Sequence, residues 1–61
     1  MQRFIIQIEG PGFDDMDEIE LPRPPAEGDL VDTKYGSCLV TATEPFLESQ
    51  QFDGKIACKL P

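Results

Sequence analysis

Residues Gly28 to Thr43, GDLVDTKYGSCLVTAT, decide how this chain folds. Two runs flank Tyr35-Gly36: Asp29–Lys34, and Ser37–Glu44, which is rich in Val, Thr and Leu. β-Branched residues fit the pleated, half-buried surface of a strand. Gly36 supplies the positive φ of a tight turn, so the stretch reads as a β-hairpin turning at Tyr35-Gly36. A two-residue loop there places Thr33 opposite Cys38, Val31 opposite Val40 and Asp29 opposite Ala42. One face then carries Val31, Thr33, Cys38, Val40 and Ala42; the other carries Leu30, Asp32, Leu39, Thr41 and Thr43. Charge is absent from the first face except Asp29 at its end, which makes it the core face. A one-residue slip would turn Val31 away from it. Leu30 and Leu39 are left outside, diagonal to one another.

Working towards the N-terminus, Arg3–Glu9 (RFIIQIE) alternates, with Phe4, Ile6 and Ile8 inward and Ile5 an exception on the outside. Gly10-Pro11-Gly12 ends that strand, because proline cannot continue a central ladder. Phe13–Glu18 (FDDMDE) reads as a loop or a single helical turn, with Phe13 or Met16 folding back over the core. Glu18–Leu21 alternates again and predicts a short strand, starting as early as Asp17. Pro22-Arg23-Pro24-Pro25 then forms an extended, polyproline-like crossing into the hairpin. Towards the C-terminus, Pro45 breaks the ladder, and residues 44–51 read as a loop with room for one helical turn and Phe46 as a second core cap. Phe52–Leu60 is the last strand, bent or bulged at Asp53-Gly54, with Ile56, Cys58 and Leu60 on one side.

The two cysteines set a constraint. Antiparallel pairing of the fourth and fifth strands, in the register centred on their loop, puts Cys38 opposite Cys58, Val40 opposite Ile56 and Ala42 opposite Gly54. Cross-strand Cβ atoms lie about 4.5–5.5 Å apart, whereas a disulfide wants about 3.8 Å. The expectation is a pair of free, buried, reduced thiols acting as small hydrophobes.

With 61 residues the chain is one domain, residues 1–61, with a single small core. Its formal net charge is −7, from 12 acids against 5 bases. Such a field repels nucleic acid and anionic membranes as direct ligands and suits a soluble protein or one that docks on a basic partner. No apolar run approaches a membrane span, and MQRFIIQIEG lacks the pattern of a signal peptide, so the expected location is cytoplasmic. Histidine is absent. That removes the commonest general base, metal ligand and partner of a Ser or Cys nucleophile.

Five short strands in so few residues predict an all-β fold, a small five-stranded barrel or a strongly bent antiparallel sheet. The run Pro25-Ala26-Glu27-Gly28-Asp29-Leu30-Val31 resembles the entry to the central hairpin of small SH3-like barrels. The resemblance covers about the second half of the chain. It implies a Gly-Asp turn before a strand whose valine is in the core, followed by a Gly-centred turn. The aromatic groove of peptide-binding members and the basic surface of nucleic-acid-binding members are both missing, so it implies a fold and no function. The alternative architecture is an open antiparallel sheet that forms a homodimer through an edge strand.

The features that bear on function are few. Asp14, Asp15, Asp17, Glu18 and Glu20 form the densest charge; with Glu9, Glu27, Asp29 and Asp32 they would imitate a phosphate row if they shared a face. As ligands for a divalent cation their spacing does not fit an EF-hand loop. Cys38 and Cys58 lack the CxxC spacing and the histidines of a zinc site. Pro22 to Pro25 has PxxP spacing, more often a rigid connection than a ligand. Ser37, Ser49, Thr41 and Thr43 have no histidine base, and no cofactor, metal or catalytic residue is assigned. The reading is a small acidic, non-catalytic module that binds a protein partner through Ile5, Leu30, Tyr35 and Leu39. The alternatives are an acidic mimic that occupies a nucleic-acid-binding protein, or a weak cation binder through the acidic loop.

Overall fold

The computed structural model describes residues 1–48 and 51–61. They build five strands: β1 (Gln2–Gly10), β2 (Phe13–Leu21), β3 (Leu30–Thr33), β4 (Gly36–Pro45) and β5 (Gly54–Lys59). These form one sheet in the order β2-β1-β5-β4-β3, curled into a half-barrel. The fold is all-β, and the half-barrel agrees with the SH3-like resemblance. Pairings are antiparallel except β1 with β5, which run parallel. Direction alternates along this order except at the β1–β5 pair, where the β1–β2 hairpin meets the strands that follow it.

The inward face is the one the alternation predicts. Phe4, Ile6, Ile8, Val31, Cys38, Val40, Ile56 and Cys58 are buried, and Ile19, Leu21 and Leu60 pack against them from the rim. Phe13 and Met16, expected to cap the core, are exposed. Phe46 is half-buried and outside the cluster, its N–H donating to the Asp53 carbonyl. Ser49 and Gln50, part of the expected loop, lie outside the described residues.

Several details differ from the sequence reading, each for a physical reason. Residues Phe13 to Asp17 are strand rather than loop. Pro11-Gly12 makes a two-residue turn, with Gly12 at φ +83°, and delivers Phe13 directly opposite Gly10. The ladder with β1 then overrides the poor strand propensity of the acids. In the β3–β4 hairpin the central residues are Lys34-Tyr35, not Tyr35-Gly36. Gly36, at φ +110°, follows the turn and pairs with Thr33, as in a type I turn closed by a glycine bulge. The register therefore moves by two residues: Val31 meets Cys38, and Leu30 lies directly opposite Leu39. An even shift preserves the faces, so the core assignment survives the misplaced turn.

Between β4 and β5 the pairing is Val40 with Cys58, not Cys38 with Cys58, and a bulge at Thr41 carries the register to Ala42 with Ala57 and Thr43 with Ile56. The extra residue turns Ala42, expected in the core, out to solvent. β5 spans less than the expected Phe52–Leu60.

The cysteines are not free. Cys38 and Cys58 are joined by a disulfide between β4 and β5, with Cα atoms 5.6 Å apart. Free thiols were expected from the Cβ spacing of directly opposed partners. In the observed register they are diagonal neighbours across β4 and β5, and their Cα separation lies within the bonded range.

Residues 22–29 cross from β2 to β3, the two edges of the sheet. The crossing ends in a tight turn at Ala26–Asp29: the Asp29 N–H donates to the Ala26 carbonyl, and Gly28 has φ +94°, as a type II turn requires. The Asp29 carboxylate accepts from the Ala26 N–H, and Gly28 and Asp29 hold Val40 through two backbone hydrogen bonds of 2.8 Å. This is the Gly-Asp entry the resemblance implied, with Val31 buried just beyond it.

Candidate functional site

The outer face of β3 and β4 is built by the same alternation that fills the core. Val31, Cys38 and Val40 point in, so Leu30 and Leu39 point out, opposite one another and 68% and 44% exposed. Lys59 of β5 lies opposite Leu39. Ser37, Thr41, Leu60 and Pro61 complete a shallow, largely apolar groove of about 570 Å³. The sequence reading missed Lys59, Leu60 and Pro61, because finding them needs the β4–β5 register.

The other expected contact residues lie elsewhere. Ile5 is half-buried on β1, between Glu18 and Lys55. Glu9 is level with Lys59 and hence with Leu39. Ile5 is thus about 13 Å along and about 10 Å across the sheet from Leu39, taking the usual rise and strand spacing. Tyr35 is at the hairpin tip, where its ring stacks obliquely on Phe13 at 5.1 Å between centroids and its hydroxyl donates to the Asp15 carboxylate. Leu30 and Leu39 are brought together; Ile5 and Tyr35 are not part of their patch.

The acidic strand β2 alternates too. Asp15 and Asp17 stand opposite Ile8 and Ile6 on the concave side; Asp14, Glu18 and Glu20 stand on the convex side. The five acids are therefore divided between two faces. On the convex side Arg3 pairs with Glu18 at 3.2 Å and lies over the Phe52 ring at 5.1 Å. On the concave side the Lys34 ammonium reaches Asp15 at 3.0 Å and Asp17 at 3.9 Å. The Lys34 contacts span the seam between β2 and the β3–β4 hairpin, where no backbone ladder runs among the described residues. A cleft of about 120 Å³ remains there, lined by residues that include Ile6, Ile8, Asp17, Asp32 and Lys34.

The seam tunes its own titration. The Tyr35 hydroxyl first, then Lys34 and the Met16 N–H, hold the Asp15 carboxyl below the usual carboxylate range. The Asp15 carboxylate raises both the Tyr35 phenol and the Lys34 ammonium above their ordinary values.

The main chain of β2 explains a further detail. The hairpin closes on the Gly10–Phe13 pair, so odd residues of β2 bond to β1 and the even ones turn their N–H and C=O groups to the open edge. Two of those outward donors are already bound: the Met16 N–H donates to Asp15 Oδ1 at 2.9 Å, and the Glu18 N–H to Asp17 Oδ1 at 2.8 Å. Each carboxylate caps the edge donor of the next residue.

The hydroxyls serve the fold. Thr41 Oγ1 donates to the Ala57 carbonyl, Thr43 Oγ1 to the Pro25 carbonyl and Thr33 Oγ1 to the Gly36 carbonyl. Among the described residues no three of His, Cys, Asp and Glu converge as metal ligands, and no helix is long and apolar enough to cross a membrane. Family models, curated proteins and solved structures were all searched, and none gives a significant match.

Proposed function

We propose that this domain is a non-catalytic protein-binding module whose docking surface is the groove headed by Leu30 and Leu39. The observation that carries the reading is the directly opposed, solvent-exposed leucine pair on an otherwise acidic domain, continued by Leu60 and Pro61. Apolar side chains rimmed by polar ones favour a partner that removes them from water. Lys59 at the rim gives that partner one cation to orient against. The partner is a protein; neither nucleic acid nor membrane is proposed as a direct ligand, given the charge of −7. The alternation of the acids on β2 lends no support to a nucleic-acid mimic, which needs them in one row.

The test compares wild type with Leu39→Asp, first by native mass and then as paired baits. A protein held by wild type and lost on Leu39→Asp, with the fold intact, supports the reading. Identical sets of bound proteins would sink it. A wild-type dimer that becomes monomeric on Leu39→Asp would mean the groove takes a second copy. The expected cytoplasmic location has to be set against the Cys38–Cys58 bridge, since such bridges persist in oxidising compartments. Thiol alkylation in whole cells before lysis decides it: free thiols place the domain in a reducing compartment.

A further inference from the structure

We propose that the outer edge of β2 is a strand-addition site, capped in the free protein by Asp15 and Asp17, and that its occupant is an extended, basic segment of a partner protein. This surface is separate from the Leu30–Leu39 groove and does not rest on it.

Three observations converge. β2 is a sheet edge of nine residues, with Asp14, Met16, Glu18 and Glu20 directing main-chain groups outward. An edge of this length is a template for another strand. The donors it would use, the Met16 and Glu18 N–H groups, are held by the carboxylates of Asp15 and Asp17. Those same carboxylates hold Lys34 across the seam. All the capping contacts are exposed and made by side chains, so an incoming strand can displace them without opening the core.

The exchange also states what the occupant must be. Its carbonyls take the Met16 and Glu18 N–H groups, and its own N–H groups bond the outward carbonyls of the same residues. Asp15 Oδ1 and Asp17 Oδ1 then lose their amide donors, while Lys34 and the Tyr35 hydroxyl stay on the Oδ2 side; Lys or Arg side chains on the concave side of the incoming strand take the freed oxygens. A neutral strand offers no such replacement. A second copy of β2 would set its five acids against five more, and like charges opposite one another are destabilising. The edge is thus closed to the protein itself and open to a strand of opposite charge.

The experiment uses the full chain, isotopically labelled, and the acetylated and amidated peptide Lys-Val-Lys-Val-Lys-Val-Lys. A matched peptide carries N-methyl groups on alternate residues, which removes its ladder donors and leaves its charge. The expected result is displacement of the Met16 and Glu18 amide resonances, slowed exchange of both amides, and affinity weaker by roughly tenfold for the methylated peptide, the scale of one or two ladder bonds. Asp15→Asn with Asp17→Asn should keep the fold and weaken binding of the unmodified peptide. Equal affinity of the two peptides would reduce the interaction to charge attraction and overturn the proposal. So would shifts centred on Leu30–Thr33 of β3, an absence of binding, or self-association through β2 without peptide. Since Leu39→Asp leaves β2 untouched, failure here and failure of the groove reading are separable.

Discussion

Reducing the Cys38–Cys58 bridge should remove a large part of this domain's stability. The bridge closes a loop with a sequence separation of 20. The loss of unfolded-chain entropy on closing such a loop corresponds to about 3 kcal/mol at 25 °C. Native domains hold about 0.05–0.15 kcal/mol per residue, which for a chain this size totals roughly 3–9 kcal/mol. The cross-link therefore supplies between about a third and nearly all of the margin. At about 4–8 °C of melting temperature per kcal/mol for a domain of this length, the fall is about 12–24 °C. Thermal and urea unfolding, followed by far-ultraviolet circular dichroism, should be run on oxidised wild type, reduced wild type and Cys38→Ala/Cys58→Ala. Reduction loses no heavy atom, so it isolates the cross-link; the double variant adds a cavity among Ile8, Val40 and Ile56 and should fall further. The urea slope should rise on reduction, because the uncrosslinked chain unfolds to a more open ensemble. A reduced protein melting within about 3 °C of the oxidised one, with an unchanged slope, would refute the reasoning, because the core alone would then be sufficient.

Three other perturbations follow from particular contacts. Gly54→Ala should cost about 1–3 kcal/mol by urea denaturation, because a Cβ there would lie 2.6 Å from the Glu44 carbonyl oxygen, which the β4–β5 ladder holds in place. Ile6→Ala, at the centre of the buried cluster, should cost about 2–5 kcal/mol in the same assay. Asp15 has a lowered carboxyl pKa, so the stability it contributes is present above the ordinary Asp value and is lost as pH falls through the lowered folded one. Asp15→Asn should flatten the acid limb of a stability–pH profile, and should lower the Tyr35 phenol pKa, raised in wild type by that carboxylate, in a spectrophotometric titration.

Much of the fold was legible because alternation is robust. Phe4, Ile6 and Ile8, and Val31, Cys38 and Val40, were placed on the core side by period two alone, and the hairpin's shift by two residues could not disturb them. Features set by long-range pairing were not legible. The bulge at Thr41 has no local signature, yet it exposes Ala42 and fixes which residue meets Cys58. The disulfide went unread with that register: Cys58 was expected opposite Cys38 and pairs two residues further along, with Val40. Phe13–Asp17 looked like loop because acids disfavour strands, whereas Pro11-Gly12 and the β1 ladder decided otherwise. Of the candidate site, Leu30 and Leu39 could be read from the same alternation. The edge caps could not, because they require knowing which β2 amides face outward.

The position of β5 between β1 and β4 also governs the order in which the chain acquires its structure. The β1–β2 and β3–β4 hairpins are each local and can close within their own residues, but among the described residues no ladder joins one to the other. Among the described strands β5 (Gly54–Lys59) is the one that pairs with both. Synthesised from its N-terminus, the chain emerges as two hairpins carrying three of the eight buried core residues each, and the sheet becomes continuous only when β5 arrives with the other two. Formation of the parallel β1–β5 pair, whose partners are some fifty residues apart, should be the slow, entropically costly step.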